Sequence, residues 1–274
     1  MPQVTVLELE PFEGEVISFE AFGVRMLLGT NRREVSERMR TALPPGWRPC
    51  ESRDVEDHRL LLLSDSRGTY GLYLGAAPVI EGVPLELALE ILDSTIRARV
   101  ARDAPERIFV HAGVVALEGR ALLIPGRSFS GKTTLVAALV RAGAAYYSDE
   151  FAPLDSDGLV HPYAKPLSLR GVEGRQTDHR VESLGGVAGD GALPVGAVVV
   201  TKHRPGAPWR PKRLSWGAGA LALLANTVPA RDRPADTLRA ITNAVDGAIF
   251  LEGDRGEAEE VAPLLLAELG ASAT

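Results

Sequence analysis

Along this chain the spacing of apolar positions changes character at Asp103-Ala104-Pro105, which the sequence suggests as a domain boundary. Before it, Val35, Met39 and Leu43 recur at helical spacing behind Asn31 and Glu34, a capping-box-like start. Pro44-Pro45-Gly46 is expected to end that helix. Residues 60–63 and 72–74 read as strands joined by the turn-forming Asp65-Ser66-Arg67-Gly68. Pro84 opens a long amphipathic helix with Leu85, Leu89, Leu92, Ile96 and Val100 on one face.

After the boundary, apolar residues 108–117 and 121–124 predict two buried strands, separated by Glu118-Gly119 as in a tight hairpin. A helix over 132–142 follows, with Gly143 at its C-cap. Strands are expected at 144–147, 197–201 and 249–251, and helices near 215–226, 234–245 and 257–269. Residues 171–194 carry six glycines among charged residues, a composition typical of a lid or a disordered loop. The expectation is α/β throughout: a smaller N-terminal α/β domain over residues 1–105 and a larger one over 106–274.

The 274 residues include 45% hydrophobic ones, enough for packed cores. The 30 basic and 36 acidic residues give a net charge of −6, with no general attraction to nucleic acid or anionic membranes. Arg32, Arg33, Arg38 and Arg40 read as a solvated helix face. Cys50 is the single cysteine, so no internal disulfide forms. The N-terminus, with Glu8, Glu10, Glu13 and Glu15, lacks the basic start and apolar core of a signal peptide. No apolar run approaches the length of a membrane span. A soluble cytoplasmic protein is expected.

The chemistry is concentrated in Gly126-Arg127-Ser128-Phe129-Ser130-Gly131-Lys132-Thr133, which fits G-x-x-x-x-G-K-[ST] at every fixed position. Small residues let backbone N–H groups curl around a β-phosphate, and the following helix points its positive end at the same anion. Lys132 can bridge β- and γ-phosphates, and the Thr133 hydroxyl, followed by Thr134, is placed for Mg²⁺. Binding of ATP or GTP follows. Asp149 and Glu150 come directly after the next predicted strand. Strand ends of a parallel sheet share one edge, so these carboxylates are expected beside the turn, ready to hold Mg²⁺ or accept a proton. The alternative role for both is a helix cap or solubilising loop. His111, in the strand paired with the one entering the turn, suits either an active site or a histidine satisfied by backbone. The other histidines lack metal-ligand spacing. Trp209 and Trp216 flank Lys212 and Arg213, where packing is favoured over adenine stacking.

His111-Ala112-Gly113-Val114-Val115, the turn, and the run from Arg141 to Glu150 together resemble the catalytic domain of the HPr serine kinase/phosphorylase family, itself distantly similar to phosphoenolpyruvate carboxykinases. The resemblance covers about residues 106–270. It implies a P-loop kinase using ATP and Mg²⁺, with His111 in the active site, Asp149 as the base that activates a substrate hydroxyl, and Glu150 supporting the metal. The family's Glu-Ile-Arg-Gly signature has Ser168-Leu169-Arg170-Gly171 as its counterpart, with serine in place of glutamate. Arg170 remains as a substrate contact. Lys202-His203-Arg204 resembles a basic loop carrying a phosphate-binding arginine, which makes Arg204 the second substrate-binding candidate. No stretch of the N-terminal part resembles that family's regulatory domain; substrate selection or oligomerisation is expected there, with substrate selection favoured over a plain packing role. The implied acceptor is a hydroxyl on serine of a protein or peptide, or on a small metabolite. The family also points to a homo-oligomer. Two other readings stay open: a nucleotide-binding regulatory protein without phosphotransfer, and a phosphorylase acting on phosphoserine.

Overall fold

The computed structural model describes residues 14–51, 58–126, 131–170 and 176–271. The acidic residues Glu8, Glu10 and Glu13 lie outside this set. The chain falls into two compact units, Met1–Pro105 and Glu106–Thr274. Both are mixed α/β, and six α-helices occur among the described residues.

In the first unit the elements are β1 (Glu15–Ala21), β2 (Val24–Thr30), α1 (Arg33–Arg40), β3 (Arg48–Pro49), β4 (Arg59–Ser64), β5 (Tyr70–Leu74), β6 (Ala77–Val83) and α2 (Leu85–Asp103). The strands form one sheet in the order β3-β1-β2-β4-β5-β6. Ile17, Phe19 and Ala21 alternate inward along β1, and Ala88, Leu92, Ile96 and Val100 form the buried stripe of α2. The capping-box expectation fails. Asn31 pairs with the Ser64 backbone in both directions, at 3.0 and 2.9 Å, which closes the end of β4, and the N-cap position falls on Arg32 without a side-chain bond. Helix α1 also stops at Arg40, before Leu43 and the Pro44-Pro45-Gly46 stop. Two of its basic residues are ion-paired, Arg38 with Glu86 and Arg40 with Glu15 and Glu37.

The second unit runs β7 (Ile108–Leu117), β8 (Arg120–Pro125), α3 (Lys132–Arg141), β9 (Ala145–Ser148), β10 (Phe151–Leu154), β11 (Leu167–Arg170), β12 (Gln176–His179), β13 (Val195–His203), β14 (Lys212–Arg213), α4 (Trp216–Leu224), α5 (Pro234–Ala244), β15 (Ile249–Arg255) and α6 (Ala258–Ala271). Its main sheet has the order β10-β7-β8-β13-β15-β14, with β9 also on β7. Period-two alternation along β7 sends Val110, Ala112, Val114 and Ala116 into a core shared with α4 and α5, while Val115 joins a second core under α3 and α6. The sheet is thus covered by helices on both faces. The β7–β8 turn puts Glu118 at φ 50° and Gly119 at φ 75°, the twisted geometry of a two-residue hairpin.

Part of the glycine-rich stretch is ordered by packing. Val181 is buried, and Tyr146 N–H donates to the Val187 carbonyl at 2.9 Å. Residues 171–175, including Gly171 and Gly174, lie outside the described set. No described helix is long and apolar enough to cross a membrane.

Candidate active site

Strands β8, β13 and β15 are mutually parallel, so Gly126, His203 and Arg255 come to one edge of the sheet. Asp149 and Glu150 reach that edge by a different route from the one expected. Strand β9 does not neighbour β8; it pairs antiparallel with β7, which is antiparallel to β8. Two reversals restore the direction. The acidic pair directly follows β9, as the sequence suggested, but it does not lead into a long loop. The chain resumes as β10 along the same side of β7, with Ser148 opposite Val114 and Phe151 opposite His111. Asp149-Glu150 is therefore an interruption in one line of strand, of the kind that re-aims side chains beside active sites. The buried Ser148 hydroxyl holds it by accepting from the N–H groups of Glu150 (3.0 Å) and Phe151 (2.9 Å). On this side Ala112 N–H donates to the Glu150 carbonyl at 3.1 Å; on the other, Gly126 N–H donates to the His111 carbonyl at 3.1 Å. Two adjacent residues of β7, His111 and Ala112, thus set the separation between Gly126 and the carboxylates.

Gly113 brings the helix close. A Cβ there would stand 2.6 Å from Val136 Cγ2 and 3.8 Å from Lys132 Cβ, so only glycine lets α3 lie this near β7. Gly131 precedes α3 with φ 82°, the left-handed conformation that glycine adopts without strain. Lys132 is 8% exposed and its Nζ donates to the Gly126 carbonyl at 2.7 Å, tying the start of α3 back to the end of β8. Burial pushes this lysine below its ordinary value, opposed by the charges of Asp149 and Glu150. Thr133 Oγ1 donates to Asp149 Oδ2 at 3.0 Å. Thr134 is exposed. Arg127, Ser128, Phe129 and Ser130 lie outside the described residues.

Asp149, 5% exposed, is engaged on both oxygens. Its Oδ1 accepts from the Tyr146 hydroxyl at 3.1 Å and lies 3.3 Å from Lys165 Nζ. The same ammonium is 3.8 Å from Glu150 Oε2. Tyr146 in turn lies 2.8 Å from the Lys165 carbonyl, and burial first, then Asp149, pushes its phenol far above the ordinary value. Sequence reasoning misses Lys165 and Tyr146. A single lysine in a proline-flanked loop carries no period or motif, and Tyr146 reads as one more apolar strand residue.

His111 shares the α3-facing side of β7 with Gly113. Its ring packs against Phe151 at a centroid distance of 4.5 Å. Burial, reinforced by the Lys132 charge, holds its imidazole below the ordinary value, which favours the neutral form. Ser168 Oγ donates to Asp178 Oδ1 at 2.6 Å across the β11–β12 pair, and Arg170 is the last residue of β11. Arg204 is exposed and ion-paired with Asp254 at 3.3 Å. Trp209 packs on the second core, whereas Trp216 is half exposed at the start of α4. One more residue escapes the sequence pattern. Arg255 is 2% exposed and donates from Nη2 to the Gly131 carbonyl at 2.9 Å. It is missed because Glu252, Gly253 and Asp254 hide the continuation of β15.

Among the described residues no group of three or more His, Cys, Asp or Glu side chains forms a metal cage. Thr133, Asp149 and Glu150 offer hard oxygen donors in one place, the set that Mg²⁺ takes when substrate phosphates complete its shell. The donors fit that ion.

Fold and site together define a mixed α/β protein in which the buried Lys132 at the start of α3 lies close to a buried Asp149 and a half-buried Glu150. Among solved structures, the HPr(Ser) kinase/phosphatase from Coxiella burnetii is similar at 13% sequence identity and a TM-score of 0.37, over 60% of this chain and 97% of that one. No protein-family model matches the chain. No curated protein matches it.

Proposed function

We propose that the larger unit is a P-loop kinase that transfers the γ-phosphate of ATP to a hydroxyl acceptor, serine of a protein or peptide or a small-molecule alcohol. The observation that carries this reading is the 3.0 Å hydrogen bond from Thr133 Oγ1 to Asp149 Oδ2. It joins the first turn of the helix after the glycine-rich turn to a carboxylate, the pairing that phosphoryl transfer needs between phosphate cradle and metal site.

The turn from Gly126 to Gly131 would hold the phosphates with backbone N–H groups and the positive end of α3. Lys132, released from the Gly126 carbonyl, would bridge the outer phosphates. Thr133 and Glu150, with Asp149 between them, would hold Mg²⁺, which supplies charge neutralisation on the transferred group. A carboxylate oxygen accepts about two hydrogen bonds. Among the described residues, Oδ1 of Asp149 is filled by Tyr146 and Lys165, while Oδ2 accepts from Thr133 and would have a lone pair left for the acceptor's proton. A neutral His111 beside Lys132 adds no further positive charge to that group. Arg170 and Arg204 remain candidates for the acceptor side.

The test is incubation of the protein with γ-labelled ATP, Mg²⁺ and a panel of peptide and small-molecule alcohols. Label appearing on an acceptor, and lost in Lys132→Ala, supports the reading. Nucleotide uptake without any labelled acceptor would favour a regulatory nucleotide-binding protein instead.

A further inference from the structure

A second buried cation besides Lys132 reaches the start of α3. Arg255, the last residue of β15, donates from Nη2 to Gly131 O (2.9 Å) and from Nη1 to Gly256 O (3.0 Å). Its Nε is buried and has no partner among the described residues. No carboxylate forms an ion pair with it there. Glu257, close in sequence, faces His203 at 3.5 Å, and Glu259 faces Arg141 at 3.5 Å.

Each feature makes this a poor place for a positive charge. Burial removes the water that would solvate the guanidinium and pushes it below its ordinary value, and Glu257 and Glu259 only partly oppose this. The carbonyl it binds belongs to the residue before α3, so the guanidinium sits against the positive end of that helix. Lys132, also buried, is the next residue. Two buried cations, Lys132 and Arg255, therefore stand with the positive end of α3, and an anion bound there would offset the charge that burial strips of solvent. A Cβ on Gly131 would lie 2.8 Å from Arg255 Nη2, so the left-handed glycine is also what lets the guanidinium approach.

We propose that Arg255 is an anion-binding residue that acts with Lys132 and the first turn of α3 to hold the polyphosphate chain of a nucleoside di- or triphosphate. This deepens the kinase reading and rests on it. The arginine comes from the last strand, outside the G-x-x-x-x-G-K-[ST] motif, and its unpartnered Nε leaves a donor for a phosphate oxygen.

The experiment compares the parent with R255Q and R255K by titration calorimetry against ATP, ADP and inorganic pyrophosphate, and by thermal melting of the free proteins. Loss of a charge-assisted hydrogen bond predicts that R255Q binds all three about 10- to 100-fold more weakly. R255K is expected to recover much of that loss. Free R255Q is expected to melt at or above the parent temperature, because the uncompensated charge is gone. An R255Q that melts lower yet binds like the parent overturns the proposal and leaves a structural brace. Should R255Q fail to fold, R255K decides: retained affinity supports the charge role, and affinity as weak as that of Lys132→Ala overturns it. A parent protein that takes up none of the three ligands overturns the kinase reading itself.

Discussion

Thr133 and Asp149 meet at 3.0 Å although they belong to a helix and to an interruption in an edge strand. Their contact joins the phosphate end of the site to its acidic end. Asp149→Asn keeps the shape and removes the charge and the proton acceptor. The expected outcome is nearly unchanged ATP affinity by calorimetry and a transfer rate lower by about 10²–10⁴. Transfer at the parental rate would take the base role away from Asp149.

Lys165 supplies a cation to two adjacent carboxylates, the buried Asp149 and the half-buried Glu150. Lys165→Met leaves them unbalanced, and a stability loss of about 1–3 kcal/mol is expected in urea denaturation. Combining it with Asp149→Asn is expected to cost less than the sum of the single changes, since the second removes the charge the first exposed. Strict additivity would show that the pair does not interact.

Gly113 is the point of closest approach between β7 and α3. Gly113→Ala drives a methyl group against the stiff, β-branched Val136, with an expected loss of about 1–3 kcal/mol. Val136→Ala in the same chain is expected to return part of it. Equilibrium denaturation of the two single variants and the double variant checks both statements.

His111 gives the stability a pH dependence of known sign. Its folded value lies below the ordinary 6.5, so the unfolded chain binds the proton first as pH falls. Its contribution is present above about pH 6.5 and is lost as the pH drops toward the folded value. Denaturation of His111→Asn between pH 7.5 and about 5 is expected to show a shallower fall than the parent. A parallel curve would show that His111 titrates alike in both states.

The sequence made the larger unit legible where its elements announce themselves. The Glu118-Gly119 hairpin, the helix that begins at Lys132 and the apolar strands all carry strong local signals. The β1–β2 hairpin carries a clean alternation at Ile17, Phe19 and Ala21, but its turn places Phe22 at φ 52°, where Asn or Asp ordinarily marks such a bend. Asn31 has cap chemistry yet spends it on Ser64, a partner distant in sequence. The same limit hides Lys165 and Arg255. Each matters because of what folding brings beside it, Asp149 in one case and the Gly131 carbonyl in the other, and neither neighbour is near in sequence.

The broken edge strand along β7 also restricts how the chain can change in length. Between Lys132 and Asp149 the path is one helix, a tight return through Gly143 and a strand registered on β7, with both ends pinned. Adding or deleting one residue in β9 would exchange the two cores that Tyr146 and Tyr147 fill and turn the carboxylate away from Thr133. Insertions are therefore confined to surface segments elsewhere, and the interval from lysine to aspartate is a ruler built into the sheet, to be kept by any chain that folds this way.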